Sequence, residues 1–276
     1  MNCINFDTRF EQYATEWMRK HAAEYKNSIS RMEAKIPEVY LQWLNTPMDW
    51  LEGQTPGMYF TQYHDAGMLM DWMLAYHAQK VPVPDQLWER IVELGPAAEK
   101  ALTELLDDAK APEEARLGAI SMLTEMESRA PMEKYVAWIA ARDERDDLAD
   151  MAAEALTAMG RAVVRPILDA APGATPAGRE TFVDVLCNFP GDPAVYDLAL
   201  DLFHANPQKR ALCASLLGKL GDARAIPTLR SAMEDPSLSY LDYIELRNAV
   251  EALGGDAPVE REFAGDPYYE SLRRME

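Results

Sequence analysis

An apolar pair three residues apart recurs six times along this chain of 276 residues, and its spacing constrains the fold more than any other feature. The pairs are Ile91 and Leu94, Leu123 and Met126, Leu156 and Met159, Leu186 and Phe189, Leu217 and Leu220, and Val250 and Leu253. Successive first members lie 32, 33, 30, 31 and 33 residues apart. A period in this range marks a repeat architecture, in which each unit is one supersecondary motif that cannot bury its apolar faces alone. Glycine follows four of the pairs directly, at Gly95, Gly160, Gly221 and Gly254, where a left-handed residue closes a helix without a Cβ penalty. Pro190 stops another by a different mechanism.

A second amphipathic helix follows each stop. In "GDARAIPTLRSAME" the residues Ile226, Leu229 and Met233 share one face, and in "GDPAVYDLALDLF" Val195, Leu198 and Leu202 do. Asp192 and Asp222 suit N-caps, with Pro193 at the first helical position after one of them. The repeating unit is therefore a pair of antiparallel helices joined by a tight turn.

The stretch "LLGKLGDARAIPTLRSAMED", with Gly221, Asp222, Ala225, Ile226, Pro227 and Leu229, resembles the short HEAT-like repeat of the phycobilisome-lyase type. "EALTAMGRAVVRPILDAA" is a looser copy, and the resemblance covers roughly residues 85 to 255. The Trp-Leu-Gly-Tyr series of tetratricopeptide repeats and the Thr-Pro-Leu-His of ankyrin repeats are both missing. The resemblance implies an all-α fold: a right-handed α-solenoid of HEAT-like helix pairs, with second helices lining the concave face and protein binding as the usual business. The expected organisation is an N-terminal helical cap over 1–80, the solenoid over 81–255 and a tail over 256–276.

The first 80 residues do not follow the period. Phe10, Tyr13, Ala14, Trp17 and Met18 predict a long amphipathic helix through "RFEQYATEWMRKHAAEYKNSISRMEAKI". Thr46-Pro47 and Thr55-Pro56 each read as an N-cap followed by a first helical residue, with Gly53 closing a short helix between them. A last helix is predicted from about Pro56 to about Gln79, burying Tyr59, Phe60, Tyr63, Leu69, Trp72 and Met73. "WLNTPMDWLEGQTPGMYF", residues 43–60, is also similar to a signature of the toxin-binding domain of some bacterial antitoxins, although Glu52 and Met58 depart from it. Two capped helices in succession generate the same pattern.

Composition narrows the function. Ala, Leu, Glu and Met are abundant and long β-branched runs are missing, which favours helix throughout. No basic region with an apolar core opens the sequence and no apolar run reaches about 18 residues, so a cytoplasmic location is expected. Cys3, Cys187 and Cys213 offer neither a disulfide framework nor a metal knuckle, and the latter two sit on apolar helix faces as small core residues. The net charge is −19, from 46 acidic and 27 basic residues. Residues 81–276 carry 36 of the acids and 20 of the bases. This excess argues against nucleic acid and anionic membranes as ligands, and fits either a basic partner or mere solubility.

No catalytic motif is legible. HEAT-like architecture also hosts a di-iron hydroxylase with His-Glu ligands, but His21, His77 and His204 precede Ala and His64 precedes Asp. A metal site from His64, Asp65, Asp71 and His77 fails because His77 rotates off the face that His64 and Asp71 share. Related folds serve as alkylpurine DNA glycosylases, which need a basic groove; a stripe of Arg161, Arg165, Arg224 and Arg230 is the one candidate for it. No catalytic residue, metal or cofactor is therefore assigned.

The candidate recognition residues are Tyr135, Trp138, Arg165, Tyr196, Arg224 and Arg230, of types enriched at interface hot spots and placed on second helices off the apolar stripe. Trp138 reads equally as core between repeats. Arg116, Arg179 and Arg210 each stand seven residues before a register pair and read as braces against acidic side chains of neighbouring repeats. The tail from Asp256 either covers the last repeat or docks elsewhere. The reading is a non-enzymatic protein- or peptide-binding scaffold with a basic partner; the alternatives are a DNA-associated protein of the repair glycosylase type and an antitoxin-like regulator.

Overall fold

A computed structural model describes residues 3–26, 28–143, 145–256 and 261–274, and among them every regular element is helical. The chain divides into two compact units, 1–130 and 131–276. No helix among the described residues is long and apolar enough to cross a membrane.

In the first unit, α1 (Phe6–His21) starts where the Asn5 side chain accepts from the Thr8 N–H at 2.9 Å. It is shorter than its periodicity predicts, giving way at His21 to turns in which Lys26 is left-handed, before α2 (Ile29–Glu33) and α3 (Ile36–Leu44). The Thr-Pro steps do not cap helices as expected. Thr46 donates its hydroxyl back to the Gln42 carbonyl at 2.7 Å, and Thr55 makes no side-chain cap bond. Between them a single 3₁₀ turn at Asp49–Leu51 is closed by Gly53, whose N–H reaches the Met48 carbonyl at 3.0 Å. The helix expected from Pro56 is only a second such turn, Pro56–Met58. The chain restarts as α4 (Ala66–Gln79), because Asp65 accepts from the Met68 N–H at 2.8 Å.

Aromatic rings hold these pieces together. Phe6 meets Trp43 and Trp50 edge-on and stacks on Phe60, which in turn meets Trp72 edge-on at 5.1 Å. Phe60, Leu69, Trp72 and Met73 are buried as predicted, whereas Tyr59 and Tyr63 stay half-buried. The N-terminal helices are also fastened to the first repeat pair, α5 (Asp85–Glu93) and α6 (Pro96–Asp107). Gln86 donates to the Tyr40 hydroxyl at 3.1 Å, Arg90 donates to the Tyr63 carbonyl at 2.9 Å, and α4 packs against α5, α6 and α7 (Glu113–Glu125).

The second unit continues with α8 (Met132–Ala141), α9 (Asp147–Ala158), α10 (Val164–Ala170), α11 (Pro176–Leu186), α12 (Pro193–Ala205), α13 (Arg210–Leu220), α14 (Ile226–Met233), α15 (Tyr240–Ala252) and α16 (Pro267–Arg273). Within it, first helices pack on first helices, α9 on α11, α11 on α13 and α13 on α15. Ile91, Leu123, Leu156, Leu186, Leu217 and Val250, the first members of the six register pairs, are each at most 1 % exposed. The period therefore reports burial at one helix position. Close approach needs small residues: a Cβ on Gly178 would strike the Ile139 carbonyl oxygen, and beside it the Thr175 N–H donates to the Ala140 carbonyl at 2.9 Å.

Gly95, Gly160, Gly221 and Gly254 are all left-handed, as is Glu127 (φ 53°), which fills the same place after the second pair. Of the expected arginine braces, Arg210 meets the Asp235 carboxylate at 2.6 Å, but Arg179 donates to the Ala171 carbonyl and Arg116 to the Leu106 carbonyl. Orphan carbonyls at helix ends attract guanidinium groups as carboxylates do.

Residues 261–274 of the tail fold onto the last repeat, and 257–260 lie outside the described residues. Arg261 lies 4.4 Å from the centre of the Phe263 ring and donates to the Met233 and Asp235 carbonyls at the C-terminal end of α14. The Asp266 carboxylate accepts from the Tyr268 and Tyr269 N–H groups of α16 and from the Tyr240 N–H of α15, each at 3.0 Å. One side chain thus caps two helices.

Two stability measurements follow from these contacts. Glu127→Gly relieves a left-handed non-glycine residue and is expected to raise the urea unfolding free energy by about 1 kcal/mol. Backbone N–H donation, from Tyr240 foremost, holds the Asp266 carboxyl below its ordinary 3.8. Its stabilisation is full above that pH and is lost as pH falls through the lowered folded value. Asp266→Asn should cost about 1 kcal/mol at neutral pH, and its unfolding curve should converge on the wild-type curve in acid.

Candidate functional site

The six residues singled out on second helices do not converge. Tyr135 is fully buried and its hydroxyl has no hydrogen-bond partner among the described residues, so it is corrected from partner contact to core. The reason is that α8 is flanked by α9, α10 and α11, which enclose Tyr135, Val136 and Ile139. Burial pushes the Tyr135 phenol well above its ordinary range. Trp138 is half-buried at 5.9 Å from the Tyr135 ring, with the Lys134 ammonium 5.6 Å from its own ring centre. Tyr196 is also corrected: it is only 7 % exposed, and the Arg224 guanidinium sits 4.0 Å from its ring centre.

The arginines are engaged within the chain. Arg224 is held by both oxygens of Asp222, whose carboxyl falls below its usual range through that hydrogen bond. Arg230 donates to the Asp256 carbonyl at 2.6 Å and Arg161 to the Pro190 carbonyl at 2.7 Å. Arg165 is solvent-exposed but pairs with Asp169 at 2.8 Å. The four-arginine stripe is therefore an array of internal contacts.

Other chemistry-bearing groups are likewise placed. His64 accepts through Nδ1 from Arg90 at 2.6 Å, and His77 is half-buried with its imidazole pushed down by burial. Cys187 and Cys213 are buried as the sequence predicts, and burial lifts their thiols to about 12 and about 11, which keeps them protonated. Among the described residues no group of three or more His, Cys, Asp or Glu side chains is arranged to hold a metal ion.

One groove among the described residues lies on the first helices. An open groove of about 680 Å³ runs across α9, α11 and α13. Each helix contributes a row at helical spacing: Asp150, Glu154 and Thr157; Glu180 and Asp184; Leu212, Ser215 and Lys219. Arg142 forms part of its wall, with its side chain only 8 % exposed, donating to Asp150 at 2.6 Å and to the Thr181 hydroxyl at 2.9 Å. Lys209 pairs with Glu180 at 2.7 Å and Lys219 with Asp184 at 2.8 Å, so both lysines staple α11 to its neighbour in the next repeat. Sequence reasoning did not single out this face. The signals were carboxylates four apart on successive first helices and the off-stripe Leu212.

Comparison with protein-family models, with curated proteins and with solved structures finds no match to this chain.

Removing the Tyr135 hydroxyl tests the corrected assignment. A buried, unpartnered donor costs about 1–3 kcal/mol, so Tyr135→Phe is expected to raise the thermal midpoint or leave it unchanged. A fall in the midpoint would show that the hydroxyl makes a bond that matters.

Proposed function

We propose that this chain is a non-enzymatic, HEAT-like scaffold of the right-handed solenoid type that binds a protein or peptide of basic character. The observation that carries the reading is how charge is disposed. Arg161, Arg165, Arg224 and Arg230 are committed to carbonyls and carboxylates of the chain itself. Carboxylates such as Glu154 on α9 stay exposed, within a chain of net charge −19. A polyanion would need free guanidinium groups to displace its counterions, whereas a cationic partner is drawn in over the whole surface. The helix-pair stacking inside 131–276 and the six-fold register support the HEAT-like reading. On the second-helix face, where the concavity of such a solenoid lies, Trp138 and Arg165 remain reachable.

An antitoxin-like role for the N-terminal unit has one observation in its favour. Leu41, 60 % exposed, stands just before the segment similar to a toxin-binding signature, and Met58, 61 % exposed, lies within it.

Affinity capture from a bacterial lysate is expected to recover one basic protein whose retention falls as salt rises, and Trp138→Ala should weaken that capture while helicity is unchanged. Retention of duplex DNA at about 150 mM salt would overturn the charge argument and favour the DNA-associated alternative.

A further inference from the structure

We propose that the groove across α9, α11 and α13 docks a cationic segment of a partner protein that carries a leucine-type side chain between its Lys or Arg residues. This rests on the protein-binding reading and adds to the second-helix face a contact surface on the first helices. The groove joins an apolar lip to an anionic wall. Leu212 is 44 % exposed in the first turn of a first helix whose neighbouring Cys213, Leu216 and Leu217 are buried. Glu154 lines the same groove, exposed and in no ion pair among the described residues. The carboxylates of Asp150 and Asp184 keep 59 % and 62 % of their surface open although each already has a cation partner.

Charge complementarity fixes the occupant. Four carboxylates line the groove; Arg142, Lys219 and, from just outside it, Lys209 pair with three of them, and Glu154 is the one in no ion pair among the described residues. What solvent meets beside Leu212 is thus Glu154 and the open sides of Asp150 and Asp184. The chain itself fills such positions with long cationic side chains: Lys209 and Lys219 reach across from the α13 side to Glu180 and Asp184. A partner's lysine or arginine extends that pattern to Glu154, which no cation of the described residues reaches. Its apolar stem lies along the small side chains of Ala153 and Ser215. An acidic or purely polar segment gains neither contact.

Fluorescence anisotropy with three synthetic peptides of equal length tests this: one of Lys and Leu, one of Lys and Ser, and one of Glu and Leu. The Lys/Leu peptide is expected to bind saturably, roughly tenfold more tightly than the Lys/Ser peptide, with no binding of the Glu/Leu peptide. Leu212→Ser and Glu154→Lys change exposed positions, so folding is retained, and each should weaken binding about tenfold. Asp197→Asn with Asp201→Asn on α12 should leave it unchanged. Equal binding to the groove variants, loss in the α12 variant, or no saturable binding of the Lys/Leu peptide would overturn the groove assignment. Continued capture of a basic protein from lysate in any of those cases would leave the broader binding function standing; failure of that capture as well would remove both.

Discussion

The structure depends on apolar side chains shared between neighbouring first helices. A single helix pair exposes two apolar faces; only one can be turned inward by the pair itself, and the other needs the next pair. Within 131–276 the register residues Leu156, Leu186, Leu217 and Val250 sit on first helices that pack on one another, and all six register residues are excluded from solvent. Everything else is arranged so that the helices can pack in this way. Left-handed residues at Gly95, Gly160, Gly221 and Gly254 reverse the chain within a few residues, and Gly178 lets α11 lie against the end of α8. At the two ends the same need is met by other means: aromatic packing of α1, α3 and α4 in the N-terminal unit, and Arg261 and Asp266 over the last repeat.

Charge is handled with a matching economy. Basic side chains act mostly inside the molecule, capping carbonyls with Arg179 and Arg230 or pairing across repeats with Arg210, Lys209 and Lys219. Such exposed or half-exposed pairs are each worth little, about 0–1 kcal/mol, and their greater effect is to remove cations from the surface. The residual field is negative, which speeds encounter with cationic partners more than it adds affinity. Affinity then has to come from a desolvated apolar contact, and Leu212 is the exposed apolar side chain of the groove that Glu154 also lines.

The repeat was legible because burial at one position of a helix leaves a regular apolar mark, and the turns were legible because glycine is the usual residue for a left-handed backbone. Glu127 shows the limit, since it adopts that backbone without the glycine that would announce it. In the N-terminal region the two Thr-Pro steps outweighed Asp65, yet Asp65 is the cap that forms, because the chain between Pro56 and α4 is held by Phe60 and Trp72 rather than by helix geometry. The candidate site was less legible. Tyr135 and Tyr196 have the chemistry of interface residues, but whether such a ring is covered depends on α9, α10, α11 and Arg224, which lie elsewhere in the sequence. Of the brace arginines, Arg210 meets the expected carboxylate, whereas Arg179 meets a helix-end carbonyl, which leaves no trace in residue identity.

The shared interior is tested most directly by comparing Leu217→Ala with Leu212→Ala, five residues apart on α13, by hydrogen exchange and urea unfolding. Leu217 is fully buried and Leu212 is exposed. Leu217→Ala should cost about 2–5 kcal/mol and lower protection in α11, α13 and α15 together, while Leu212→Ala changes neither. Loss of protection confined to α13, or equal costs for the two substitutions, would contradict an interior held in common by successive repeats.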